Sequence, residues 1–174
     1  MSNLIAEAKI TLIGGTSVGK TTFIHNFIEG NSPFAAAPTV QLAFSNKTIT
    51  IHDTQITLKI CDTAGQERFQ SVAPNFYRSS DGAMILFDIT DSSSFKKAQS
   101  WLDELNAVMP STYHILLVGN KSDLAEDRQI SYEDALTYAE SNNISYMEAS
   151  AKTGDNVSSC FYFLADEIYK SQQK

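Results

Sequence analysis

Residues 14–21 read G-G-T-S-V-G-K-T, two glycines separated by four residues and followed at once by a lysine and a hydroxyl. Glycines let a backbone bend until successive N–H groups point at one spot, and a helix start placed there adds a partial positive charge. Lysine supplies a full charge and threonine a hydroxyl suited to a hard divalent cation. The pattern cradles nucleotide phosphates when a strand precedes it and a helix follows. The flanking A-K-I-T-L-I and F-I-H-N-F-I have that character. The candidate phosphate contacts are Gly15, Thr16, Ser17, Val18, Gly19, Lys20, Thr21 and Thr22. Lys20 would reach the β and γ phosphates and Thr21 would face Mg²⁺.

Three further stretches stand after strand-like runs. Asn120, Lys121, Ser122 and Asp123 follow H-I-L-L-V-G. Asp123 can accept from both N1–H and the 2-amino group of guanine, two donors that adenine lacks. A carboxylate left unpaired by the wrong base costs about 1–3 kcal/mol per group. Asp62 to Gln66 follow I-T-L-K-I-C; an Asp there can hold Mg²⁺, and the Gly65 N–H can meet a γ phosphate. Ser150, Ala151 and Lys152 could contact the guanine ring through backbone and lysine stem.

These residues need a scaffold of alternating strands and helices. Short apolar runs ending at Gly, Asp or Ser read as strands, and two of them flank a turn at His52, Asp53 and Thr54, which predicts an antiparallel edge hairpin. Phe95, Ala98, Leu102, Leu105 and Met109 recur at helical spacing, as do Tyr132, Leu136 and Ala139, and Val157, Phe161, Leu164 and Ile168. Ser131 with Asp134 predicts a cap, and Asp155 or Asn156 another. Tyr162 and Phe163 are assigned with Phe161 to the packing face of the last helix, and Trp101 to the core. The alternation predicts an α/β layer fold with a mostly parallel sheet, whose ligands sit outside the carboxyl ends of the strands.

The 174 residues, 43% hydrophobic, suit one domain, with a polar tail at 170–174. A net charge of −7 without basic blocks argues against nucleic acid or an anionic membrane as partner. Cys61 and Cys160 have no metal-ligand spacing and read as free thiols of a reducing compartment, which predicts a cytoplasmic location. His25, His52 and His114 share no ligand spacing either.

The cradle, D-T-A-G-Q-E, N-K-x-D and S-A-K in this order resemble the Ras-type small GTPases, and D-T-A-G-Q-E-R-F-Q-S-V-A-P-N-F-Y with S-F-K-K-A-Q-S-W-L-D-E-L is most similar to the Rab family. The likeness covers roughly residues 8–169. It implies a P-loop NTPase with a six-stranded, mostly parallel sheet, one antiparallel edge strand and helices on both faces. It also implies GTP and GDP as bound nucleotides, Mg²⁺, slow GTP hydrolysis and a role in vesicle trafficking. By position, Thr39 would join Thr21 and Asp62 at Mg²⁺, Gln66 would orient the attacking water, and Lys20 and Thr39 would complete the catalytic set. Effectors, an exchange factor and a GTPase-activating protein would engage the two switch segments of a monomer, with Arg68 and Phe69 facing exchange factors.

Several family positions differ here. Ser32 stands where the family has an aromatic near the guanine, with Phe34 as its candidate substitute; without such stacking GDP should leave faster. Ser17 replaces a glycine, and Thr16 lies beside the expected γ phosphate, which together predict slower hydrolysis. Gln41 and Ala43 alter the first switch. Of the family's exposed aromatic effector triad Phe44 remains, Phe76 is a conservative change and Cys61 replaces a tryptophan, so the usual effectors are doubtful partners. No cysteine pair or CaaX box closes the chain at Lys174, so peripheral attachment to endomembranes would need a prenylated C-terminus from a longer chain. The alternative reading is a guanine-nucleotide-binding interaction module with vestigial hydrolysis; residues 120–123 argue against an adenine-nucleotide kinase or ATPase.

Overall fold

The computed structural model describes residues 6–15, 17–30, 43–62 and 78–173. Six strands form one sheet in the order β2-β3-β1-β4-β5-β6: β1 Ala6–Gly14, β2 Ala43–Ile51, β3 Thr54–Asp62, β4 Gly82–Asp88, β5 His114–Asn120 and β6 Ser145–Glu148. β2 pairs antiparallel with β3 at the edge, and every other pairing is parallel. This is the P-loop architecture expected from the sequence. The edge turn is shorter than expected, because Thr54 already pairs with Ile51. His52 and Asp53 alone make it, both with positive φ (51° and 63°), the geometry that matches the right-handed twist of a hairpin.

Four helices are described: α1 Lys20–Glu29, α2 Ser92–Val108, α3 Tyr132–Ser141 and α4 Val157–Gln172. Strand alternation divides the core into two layers. Ile10, Leu12, Leu58, Ile60, Met84 and Leu86 face α1 and α4, meeting Phe23, Phe27, Phe161 and Leu164. Ile13, Ala83, Ile85, Phe87 and Leu117 face α2 and α3, meeting Ala98, Trp101, Leu102, Leu105 and Ala135. Phe27 stacks on Phe161 at 4.1 Å, which fixes α1 against α4. Trp101 is buried, as expected.

Two expectations about helix faces need correction. Tyr162 and Phe163 are 41% and 37% exposed while Phe161 is fully buried; successive residues are about 100° apart around a helix, so three in a row spread over about 200° and cannot share a face. Tyr132, at the first turn of α3, is also exposed, although its ring lies 5.4 Å from that of Tyr146. Ser131 caps α3 by accepting from the Asp134 N–H at 3.0 Å. Neither Asp155 nor Asn156 caps α4 through its side chain; Asn156 occupies the cap position and instead donates to the Glu148 carbonyl at 2.9 Å. Asp91, unforeseen, caps α2 through the Ser93 N–H at 3.0 Å.

Both thiols are free and buried. Burial pushes Cys61 up to about 11 and Cys160 up to about 12, which keeps both as unreactive thiols at neutral pH. His52 lies 3.0 Å from Asp166 and His114 2.6 Å from Ser171, two ties between the sheet and α4. No helix among the described residues is long and apolar enough to cross a membrane.

Candidate functional site

β1 has β3 on one side and β4 on the other, so the connections leaving β1 and β3 run to opposite sides and a crevice opens at the carboxyl end of the sheet. Strand register carries the polar candidates to that edge. Asp62 pairs beside Leu12, Leu86 beside Gly14, Asn120 beside Asp88, and Glu148 beside Gly119.

The turn from β1 to α1 is tight. A Cβ on Gly14 would come within 2.8 Å of both the Leu86 carbonyl and Val18. Gly19 has φ +97°, and a Cβ there would meet the Asn120 amide nitrogen at 2.5 Å. Neither position admits a side chain. Ser17 adopts φ 69° with its side chain exposed, a left-handed conformation that costs an L-residue about 1–2 kcal/mol. The family glycine at this position would carry no such cost.

Lys20 is 6% exposed and bends back over the turn, donating from Nζ to the carbonyls of Gly14 at 2.9 Å and Gly15 at 3.3 Å. Burial lowers its pKa to about 8, against the opposing pull of the Asp62 carboxylate. A buried ammonium that among the described residues donates to carbonyls is a strong point of attraction for a polyanion.

Thr21 donates from Oγ1 to Asp62 Oδ2 at 2.7 Å. Among the described residues no group of three or more His, Cys, Asp or Glu could hold a metal by itself. The donor set here is one hydroxyl and one carboxylate, both hard oxygens. That suits Mg²⁺, which keeps several waters and takes further oxygens from substrate phosphates, better than zinc or calcium.

Across the crevice, Asn120 is 1% exposed and uses both ends of its carboxamide. Nδ2 donates to the Val18 carbonyl in the turn at 2.8 Å, and Oδ1 accepts from the Ala151 N–H at 3.0 Å. Ser150, also buried, donates from Oγ to Asp123 Oδ1 at 2.8 Å and accepts from the Thr153 N–H at 3.1 Å. Asp123 and Lys152 are exposed.

Lys121 sits in a left-handed conformation, φ 68°, and its Nζ lies 2.9 Å from Asp88 Oδ2. Asp88 Oδ1 in turn accepts from the N–H and hydroxyl of Thr90 at 2.8 and 2.7 Å. Asp88 is not among the site residues that the sequence singles out. Its signal was available, since a lone Asp ending the apolar run G-A-M-I-L-F-D must find partners if buried.

The structure therefore gathers Gly15, Ser17, Val18, Gly19, Lys20, Thr21, Thr22, Asp62, Asn120, Lys121, Asp123, Ser150, Ala151 and Lys152 at one edge of the sheet. Thr16, Ser32, Phe34, Thr39, Gln41, Gly65, Gln66, Arg68, Phe69 and Phe76 lie outside the described residues. Phe44, on β2, is 67% exposed and pairs across from Cys61, which is buried rather than surface-exposed. Beside them a hollow of about 250 Å³ is lined by Lys9, Thr11, Lys59 and Ser79 among others.

The sequence profile of the Ras family matches residues 9–170. Among similar proteins, Ras-related protein Rab5A of Oryza sativa subsp. japonica is 38% identical over 171 residues, covering 98% of this chain and 84% of that protein. Ras-related protein RABF2b of Arabidopsis thaliana is 38% identical over 170 residues, covering 98% of this chain and 85% of that protein.

Two outcomes follow from the turn. Ser17→Gly should raise stability by about 0.5–1 kcal/mol, moving Tm up by about 1–4 °C in the nucleotide-depleted protein; a lower Tm would contradict the strain at φ 69°. Lys20 loses its proton near pH 8 when the site is empty, but bound phosphates would hold it charged. Binding GDP above that pH must then take up a proton, so affinity should fall as pH rises. At constant Mg²⁺, GDP affinity should be about fourfold weaker at pH 8.5 than at pH 7, and a flat profile would contradict the buried, lowered amine.

Proposed function

The chain belongs to the Ras family and, within it, to the Rab proteins, and from that membership we propose that it is a guanine-nucleotide switch that binds GTP and GDP with Mg²⁺ and hydrolyses GTP slowly. The family's P-loop fold binds nucleotide; the base, the metal and the reaction are our reading. One observation carries it. The Asn120 carboxamide joins the phosphate turn at Val18 to the 150–152 loop at Ala151, while Ser150 holds the Asp123 carboxylate at 2.8 Å. This arrangement supports phosphate and base recognition by one polar unit.

In this reading the backbone N–H groups around Gly15 to Thr22 and the Lys20 ammonium bind the phosphates, and Asp123 reads guanine through N1–H and the 2-amino group. Lys121 would lie along the base, held by Asp88, with Ala151 and Lys152 closing the other side. Thr21, Thr39 and Asp62 would hold Mg²⁺, which when bound neutralises charge on the β and γ oxygens. Gln66 would orient the attacking water, and the Gly65 N–H and Thr39 would sense the γ phosphate. Hydrolysis on such a site is positioning and charge stabilisation, and a partner arginine would add about 10³–10⁵ in rate. Release of the γ phosphate frees Thr39 and Gly65, and the switch segments carry the change to effectors, an exchange factor and a GTPase-activating protein. Exposed Phe44 beside the lysine-rimmed hollow supports a partner surface on that side. We place the activity in membrane trafficking on the cytoplasmic side of endomembranes, by analogy with the Rab relatives.

A second reading, nucleotide binding with vestigial hydrolysis, draws support from Ser17, whose left-handed backbone occupies a family glycine position in the cradle.

One experiment separates these readings. The protein as purified is assayed for retained nucleotide, and then phosphate release from GTP and from ATP is followed with Mg²⁺. The proposal expects retained guanine nucleotide and slow release from GTP alone. Retained guanine nucleotide with no release would favour the vestigial reading, and turnover of ATP would overturn both.

A further inference from the structure

Building on the guanine reading, we infer that Arg128, Glu148 and Tyr146 form a positioning clamp behind the base site that sets the aim of Asp123 and hence the selectivity for guanine.

Asp123 lies in a short 3₁₀ segment, Ser122–Asp127, that buries none of its residues and is entered through the left-handed Lys121, without a side-chain cap. Leu124 within it departs from helical geometry. A segment with no apolar anchor is free to shift unless polar ties hold it at both ends. At its start, the Ser122 N–H donates to the Ala149 carbonyl at 3.1 Å, and the Ala149 N–H to the Gly119 carbonyl at 2.9 Å. At its end stands Arg128. Its guanidinium meets Glu148 with two hydrogen bonds, Nη1 to Oε2 at 2.8 Å and Nη2 to Oε1 at 2.7 Å, and Nη1 also reaches the Ile130 carbonyl at 3.0 Å.

Glu148 is the last residue of β6, directly before the loop that carries Ser150 and Ala151. The bidentate pair therefore bridges the far end of one base loop to the root of the other. Bidentate arginine–carboxylate pairs fix angle as well as distance, unlike ordinary surface ion pairs. Both side chains are largely shielded, at 24% and 14% exposed. The guanidinium and the Tyr146 hydroxyl hold the Glu148 carboxyl below its ordinary value, against the opposing effect of burial.

Tyr146 supplies the third point. Its ring is 7% exposed, packed against Phe87, and its hydroxyl donates to Glu148 Oε2. Gly119, one residue before Asn120, leaves the room: a Cβ there would stand 2.5 Å from the Tyr146 hydroxyl. From the other side, Asn156 holds the Glu148 backbone carbonyl. Glu148 is fixed through side chain and backbone, and Arg128 transmits that position to the segment bearing Asp123.

Arg128, Glu148 and Tyr146 are positioning residues, so their removal should alter discrimination and not merely stability. The test compares GDP with inosine diphosphate, which keeps N1–H but lacks the 2-amino group that a well-aimed Asp123 also binds. Affinities of both are measured with Mg²⁺ on the full chain for Arg128→Ala, the near-isosteric Glu148→Gln and Tyr146→Phe, and the charge swap Arg128→Glu with Glu148→Arg. The clamp predicts that the GDP-to-IDP affinity ratio falls at least about threefold in Arg128→Ala and Glu148→Gln, less in Tyr146→Phe, and recovers in part in the swap. Equal weakening of both nucleotides, or an unchanged ratio in all variants, overturns it. If the wild type itself shows no preference for GDP, the guanine reading fails and the clamp fails with it; a guanine-selective wild type with an unchanged ratio in the variants sinks the clamp alone.

Discussion

Asn120 must satisfy a buried carboxamide at the point where three strand ends converge. Its donor goes to the phosphate turn and its acceptor takes an N–H from the loop after β6. A buried amide left half-paired costs about 1–3 kcal/mol, so the turn at Val18 and the loop at Ala151 are held in one mutual arrangement. Gly19 follows from the same contact, because a side chain there would occupy the place of the Asn120 nitrogen. The sheet register that sets Asn120 beside Asp88 thus dictates where the β1 turn can lie.

Charge is distributed around this amide with a consistent logic. Two cations near the site have a fixed counterpart: Lys121 has Asp88, and Arg128 has Glu148. Lys20 is the contrast, an ammonium that among the described residues donates to backbone carbonyls and whose pKa burial lowers. Ion pairs of the first kind hold loops in place, whereas an under-neutralised cation invites an anionic ligand. Among the described residues, the site is thereby tied by ion pairs where a base would be read and carries a buried ammonium where phosphates would sit.

Much of this was legible from residue types. Glycine spacing with Lys20 and Thr21 located the turn, alternating runs located the strands, and helical spacing found the buried faces of α2 and α4, because each rests on local geometry that the chain carries with it. Where sequence reasoning failed, direction was the missing quantity. Tyr162 and Phe163 are apolar yet point outward, and Asn156 turns its side chain to Glu148 instead of capping α4. The partners of Asp88, Arg128 and Glu148 were not foreseen, because contacts between residues 88 and 121, or 128 and 148, depend on which strands become neighbours. The left-handed Ser17 was visible only as a residue in a glycine's place; its φ gave that substitution a physical cost.

One buried amide couples the turn after β1 to the loop after β6, and amide hydrogen exchange of Asn120→Asp tests that coupling most directly. The carboxylate keeps an acceptor for the Ala151 N–H but has no donor for the Val18 carbonyl. With GDP and Mg²⁺ present, coupling predicts faster exchange both in residues 18–23 and in residues 149–153. Faster exchange confined to residues 18–23, with the loop after β6 unchanged, would contradict it.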